Sequence, residues 1–160
     1  MTDPADLAVR LLDRLLDEGL SLATAESLTG GLVGATLTAV PGSSDVYVGG
    51  VVSYAITVKT AVLSVPEALI EDHGVVSEEC AVAMAEGVRA LTGADLAVAT
   101  TGVAGPGPQD GVAAGTVWVA VVSGSDHDAA GLTLAGDRDD VRRETCAAAL
   151  ELAMNFQPSA

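Results

Sequence analysis

Three short stretches of this 160-residue chain carry residue types able to do chemistry. In Thr24-Ala25-Glu26-Ser27-Leu28-Thr29-Gly30-Gly31, a hydroxyl stands just before two glycines, where a helix is expected to begin. Unpaired N–H groups at a helix start bind anions or a developing oxyanion, and glycine lets a ligand approach the backbone closely. Ser and Thr are also ordinary helix caps, and residue type alone favours that plainer role for Ser27 or Thr29. The second stretch, Ser53-Tyr54-Ala55-Ile56-Thr57-Val58-Lys59, holds the only lysine in the sequence. On one continuous helix, five steps of about 100° would turn Tyr54 and Lys59 to different faces. With Tyr54 ending a strand and Lys59 in the first helical turn, both face one pocket. A solvated lysine is the usual case. Among apolar neighbours and at the positive end of a helix, the amine is instead pushed below its unperturbed ~10.4, which makes the neutral form accessible. The third stretch, Thr100-Thr101-Gly102-Val103-Ala104-Gly105-Pro106-Gly107, reads by composition as a tight connection needing positive φ. Its functional counterpart is a backbone wall against which a ligand lies.

The elements around these stretches follow from periodicity and turn residues. Asp3 and Pro4 start a helix whose Leu7, Leu11, Leu12, Leu15 and Leu16 recur at helical spacing through Asp17. Strands are expected at Leu20 to Ala25, Val46 to Ser53, Leu96 to Thr100, Gly115 to Val122 and Gly131 to Leu134. Gly49-Gly50 inside the second strand points to a bulge or a close backbone approach. Further helices follow Gly30-Gly31, span about Thr57 to Leu63, run from the cap Ser77 to Gly93, and run from Asp137 to about Asn155. About five strands with four or five helices, alternating early, make an α/β layered domain. His73 reads as a connector to the helix capped by Ser77.

Composition narrows the function. A hydrophobic content of 49% and a mean hydropathy of +0.45 supply one sizeable core. The longest apolar run in the second half, Val117 to Val122, falls far short of the roughly 18 residues of a membrane span. The start, Met1-Thr2-Asp3-Pro4-Ala5-Asp6, carries acids where a secretory signal needs basic residues. Cys80 and Cys146 lack metal-ligand spacing, so a cytoplasmic protein with two free thiols is expected. A net charge of −15 repels a phosphate backbone, and Tyr47, Tyr54, Trp118 and Phe156 are too few to stack bases. Nucleic acid and membrane are thus unexpected partners. Asp110 occupies the third-glycine place of a dinucleotide fingerprint begun at Gly105, Val58 replaces the glycine before a Walker lysine, and His73 and His127 stand too far apart for a zinc protease motif. A Gly-x-Ser-x-Gly elbow is absent around Ser27.

Seven pieces in register resemble the C-terminal domain of the CinA family, the nicotinamide-nucleotide amidohydrolases of PncC type. They include Ala25-Glu26-Ser27-Leu28-Thr29-Gly30-Gly31, Val40-Pro41-Gly42-Ser43-Ser44, Gly49-Gly50-Val51-Val52-Ser53-Tyr54, His73-Gly74-Val75-Val76-Ser77-Glu78-Glu79, Thr101 to Gly107, Gly115-Thr116-Val117 and Gly136-Asp137-Arg138. The resemblance runs from about Leu7 to Leu152. It implies one domain over 1–160, a three-layer α/β/α sandwich with a mixed, mostly parallel sheet, and a homo-oligomer. It further implies hydrolysis of the carboxamide of nicotinamide mononucleotide to the acid and ammonia, without metal or cofactor. By this resemblance Ser27 is the nucleophile, Lys59 its base and Tyr54 a supporting hydroxyl. Thr101 and Arg142 match further active-site positions; Thr29, Gly30, Gly31 and Gly102 join them as substrate-binding residues. The N–H groups near Gly30 and Gly31 are expected to hold the oxyanion, and Arg142 or Arg138 the substrate phosphate. Leu28 stands where the family usually has Cys, and Ile56 where it often has Asn. Long members add an N-terminal pyrophosphatase domain, for which 160 residues leave no room. The alternatives are an inactive nucleotide- or partner-binding module of the same fold, and an amidase for another small carboxamide.

Overall fold

Side-chain caps set the ends of the long helices. The computed structural model describes residues 2–159, so the outermost residues of the expected domain, Met1 and Ala160, lie outside the described residues. Asp3 accepts a hydrogen bond from the Ala5 N–H with Pro4 following it, which starts α1 (Pro4–Glu18); left-handed Gly19 ends it. The sheet then builds as β1 (Leu22–Glu26), α2 (Leu32–Thr38), β2 (Tyr47–Val52), α3 (Ile56–Leu63), α4 (Glu67–His73), α5 (Glu78–Thr92), β3 (Leu96–Gly102), β4 (Thr116–Ser123), β5 (Asp126–Thr133) and α6 (Arg138–Asn155). Ser77 caps α5 through the Cys80 N–H, and Asp137 and Asp140 form a reciprocal capping box on α6.

The strand order is β2-β1-β3-β4-β5; β2, β1 and β3 run parallel, and β4 and β5 continue antiparallel. All of β1 and all of β3 but Gly102 are buried, as strands covered on both faces must be. Alternation divides their side chains cleanly. Leu22, Leu96 and Val98, with Val119 and Val121 of β4, pack in one cluster with α1, α2 and α6. Ala23, Ala25, Ala97 and Ala99 point the other way, into a cluster with Cys80, Met84, Ala85 and Val88 of α5. The result is a three-layer α/β/α sandwich on a mixed sheet. Among the described residues, no helix is long and apolar enough to cross a membrane, and Cys80 and Cys146 are free, buried thiols.

Two elements depart from expectation, and a third, β2, meets it. β5 starts at Asp126 rather than Gly131, because it is an edge strand, where Asp126 stays half-buried and His127 and Asp128 are exposed. α4 has no counterpart in the sequence reading: it buries no residue and so shows no apolar period, and it raises the count among the described residues to six α-helices plus a 3-10 turn at Ser43–Asp45. His73 therefore ends a helix rather than a plain connector. In β2 the register shifts beside Ala23↔Gly49, and a Cβ on Gly50 would collide with the Thr24 side chain, so bulge and close approach are both present.

A glycine inside α5 sets where α3 ends. A Cβ on Gly87 would fall on the Leu63 carbonyl at the end of α3, the helix that carries Lys59. Helix propensity alone predicts that Gly87→Ala stabilises α5 by up to ~1 kcal/mol. Overlap with a main-chain carbonyl cannot be relieved by a rotamer change, and overpacking of this kind costs about 1–3 kcal/mol. We expect Gly87→Ala to lower the thermal midpoint by several degrees; a rise in a melting experiment would contradict this packing.

Candidate active site

Parallel register brings the three stretches together. Glu26 pairs with Val52 on one side and with Thr100 on the other, so the residues that follow β1 and β2 emerge beside the end of β3. The chain leaves β1 toward β2 on one side and returns to β3 on the other, and the crevice outside such a switch point is where open α/β sheets bind ligands. The Ser27 N–H donates to the Thr100 carbonyl at 3.0 Å and the Ser53 N–H to the Glu26 carbonyl at 2.8 Å, which stitches the loops. They enclose a cleft of about 780 Å³, within the size range of small-molecule sites. Ser27, Tyr54, Lys59, Thr101, Gly102 and Arg138 are among its lining residues.

Ser27 and Lys59 meet at its buried edge, 6% and 2% exposed. Lys59 Nζ lies 3.0 Å from Ser27 Oγ, 2.6 Å from the Ser53 carbonyl oxygen and 3.3 Å from the Tyr54 carbonyl oxygen. Carbonyl oxygens only accept. A neutral amine has two N–H donors and one lone pair, so giving both protons to Ser53 and Tyr54 leaves the lone pair facing the Ser27 hydroxyl. Burial holds the Lys59 ammonium below its ordinary range, against an opposing contribution from Cys80. The first turn of α3 adds its unfavourable N-terminal field. Burial also pushes the Cys80 thiol up to about 11, so it stays uncharged at neutral pH.

The other expected residues are distributed around this pair. Tyr54 reaches Lys59 with its carbonyl; its own hydroxyl accepts from Arg138 Nη2 at 3.1 Å at the cleft mouth, so it does not relay between Ser27 and Lys59. Thr101 lines the cleft while its hydroxyl donates to the Val75 carbonyl at 2.7 Å, fixing the wall before α5. Thr29, Gly30 and Gly31 are not among the cleft-lining residues. Thr29 is fully buried, the Gly30 N–H closes a turn onto the Ser27 carbonyl, and the α2 amides of Val33 and Gly34 donate to the Glu26 carboxylate. Among the loop amides, Ser27 and Gly30 are thus engaged, while those of Leu28, Thr29 and Gly31 have no acceptor among the described residues; of these three residues only Leu28 lines the cleft. Arg142 also stands outside the cleft lining, donating to the Leu28 and Thr29 carbonyls at 3.2 and 3.0 Å. Arg138, one helical turn earlier, lines the cleft and donates to the Gly105 carbonyl at 2.6 Å. Leu28 and Ile56, the two departures from the family pattern, both line the cleft. Sequence reasoning missed the roles of the Glu26 carboxylate and of His73, which lines the cleft and pairs with Glu79 at 3.5 Å. Among the described residues no His, Cys, Asp and Glu side chains cluster as a metal site requires.

A buried, depressed amine leaves a signature in stability. In the folded protein Lys59 gives up its proton at lower pH than in the unfolded chain, where it does so near ~10.4. Between the two values the unfolded state holds one proton more, so this group makes stability rise with pH, and its cost is largest below the folded value. Denaturant melts of wild type and Lys59→Met between pH 6 and 10 are expected to show the wild type gaining on the variant as pH rises. Parallel curves would mean that Lys59 is not depressed.

Comparison with known proteins agrees with this architecture. The family model described as the CinA C-terminal domain matches residues 4–156. A Geobacillus kaustophilus protein named for competence-damage inducibility is 48% identical over 140 residues, 87% of this chain and 34% of that protein. A CinA-like protein of Salinibacter ruber is 46% identical over 151 residues, covering 94% of this chain and 37% of its own length. The chain therefore spans about a third of the curated relatives it matches. The crystal structure of a competence damage-inducible protein from Klebsiella pneumoniae superposes with a TM-score of 0.93 at 35% identity, covering 98% of this chain and all of that one. A competence/damage-inducible protein from Agrobacterium tumefaciens gives 0.91 at 34% identity, covering 98% of each chain. In sequence and in fold, the chain belongs to the family of CinA C-terminal domains.

Proposed function

We propose that this chain is a serine amidohydrolase that deamidates nicotinamide mononucleotide to nicotinate mononucleotide and ammonia. The observation that supports this most is the buried Ser27–Lys59 pair, whose amine also meets two carbonyl acceptors. Ser27 Oγ attacks the carboxamide carbon while its proton passes to Lys59 Nζ. As the tetrahedral intermediate collapses, Lys59 returns that proton to the leaving nitrogen, ammonia departs, and a nicotinoyl ester remains on Ser27. Water then attacks the ester with Lys59 again taking a proton, and collapse releases the acid and restores the Ser27 hydroxyl. The oxyanion is stabilised by the Leu28 N–H, the free amide next to the nucleophile. Arg138 at the cleft mouth is the phosphate anchor, because it lines the cleft whereas Arg142 stands behind it on the loop carbonyls. Exposed Val48 and Val52 on the outer strand β2, beside Tyr54 and Ile56, support self-association along that edge.

Ammonia release from a panel of carboxamides tests this directly. Ser27→Ala should abolish it with the fold intact. Lys59→Arg should be as damaging as Lys59→Ala, each lowering kcat by about 10²–10⁴, since a guanidinium cannot accept the proton. Substantial turnover by Lys59→Arg would remove Lys59 as base. Nicotinamide riboside should be a poorer substrate than the mononucleotide, and Arg138→Ala should erase that preference where Arg142→Ala does not. Release from other amides only would redirect the reading to another substrate. Nucleotide binding without release from any amide would favour a non-catalytic module, to which the apolar Leu28 and Ile56 would then be suited.

A further inference from the structure

Glu26 is a carboxylate only 2% exposed that stands outside the cleft lining and, among the described residues, in no ion pair. The reaction proposed above does not use it, yet its oxygens are fully engaged. Oε1 accepts from Thr29 Oγ1 at 2.7 Å and from the Val33 N–H at 2.8 Å, and Oε2 accepts from the Gly34 N–H at 3.0 Å. The single Thr29 hydroxyl proton thus points to Glu26. The Thr29–Thr100 contact at 2.8 Å must then run with Thr100 donating. This directional chain from Thr100 through Thr29 to Glu26 anchors the middle of the Ser27–Gly31 loop. The Ser27 N–H on the Thr100 carbonyl anchors its start, and the Gly30 N–H on the Ser27 carbonyl closes the turn between.

We infer that Glu26 is a positioning residue for the nucleophile: acting through Thr29, it holds the loop so that Ser27 Oγ stays within hydrogen-bond reach of Lys59. The inference rests on the Ser27–Lys59 reading. The competing role is a plain cap on α2, served by the Val33 and Gly34 contacts alone. Thr29 separates the two, because Thr29→Val cuts the loop tie and leaves both capping contacts in place.

The test compares Glu26→Gln, Thr29→Val and Thr29→Ser, with melting curves to verify folding. Glu26→Gln and Thr29→Val are expected to lower kcat at least tenfold with KM within about threefold, whereas Thr29→Ser, which keeps the hydroxyl, retains most of it. Sulfonylation of Ser27 by phenylmethylsulfonyl fluoride, followed by intact-mass spectrometry against Ser27→Ala, should slow in parallel. Wild-type kcat and labelling in folded Thr29→Val, or a change confined to KM, overturns the inference even if Glu26→Gln fails to fold. Absence of both turnover and labelling in the wild type means instead that the amidase reading has failed. Crystal structures of wild type and Thr29→Val then decide the positioning role: a Ser27 Oγ–Lys59 Nζ separation opening beyond about 3.5 Å supports it, and an unchanged separation overturns it.

Discussion

A lysine amine taken out of water and set against two carbonyl oxygens and one hydroxyl is the constraint around which the molecule is organised. An isolated buried charge costs several kcal/mol, and a buried Lys sheds that cost by giving up its proton. The carbonyls of Ser53 and Tyr54 by themselves favour the ammonium, so burial is what lowers its proton affinity; once the amine is neutral, they occupy both of its N–H groups and leave its lone pair for Ser27. Burial thus costs stability while lowering the proton affinity of Lys59, a trade typical of active sites and one that the proposed base requires.

The rest of the fold keeps that arrangement in place. Parallel pairing puts Ser27, Ser53 and Thr100 at one end of the sheet, and the alanine face of β1 and β3 lets α5 lie against it and seal the amine from below. The nucleophile loop is gripped twice, by Arg142 on the carbonyls of Leu28 and Thr29 and by Glu26 on the Thr29 hydroxyl and the α2 amides. Both charged groups thus brace the Ser27 loop, and the proposed reaction uses neither as a reactant. A net charge of −15 opposes an anionic substrate at long range. Salt confines such fields to about 8 Å under physiological conditions, so in the proposed function the final approach of the nucleotide falls to the Arg138 guanidinium at the cleft mouth.

Much of this was legible in the sequence, for local reasons. Caps at Asp3, Ser77 and Asp137 announce helices because they act within three residues of themselves. The buried strands β1 and β3 read as apolar runs. Lys59 stands out as the lone lysine, whereas Ser27 by residue type alone reads as an ordinary cap; the roles of Ser27, Tyr54 and Lys59 come from family resemblance. The remainder depends on partners far apart in the chain. Arg138 and Arg142 lie one turn apart on α6, and only the packing of that helix shows which faces the cleft and which braces the loop. Glu26 caps a helix that begins after two glycines, several residues downstream, a distance no local capping pattern spans. α4 has no apolar stripe to betray it.

Because Lys59 is the only lysine in the chain, a sample labelled with carbon-13 in lysine gives a single side-chain resonance whose titration belongs to the proposed base. Following its ε-carbon shift from pH 5 to 12 in the folded protein measures the central claim without reference to any substrate. The account predicts a midpoint below the ordinary ~10.4 of a solvated lysine. A midpoint at or above that value would show a fixed cation beside Ser27, and the proposed base would be lost.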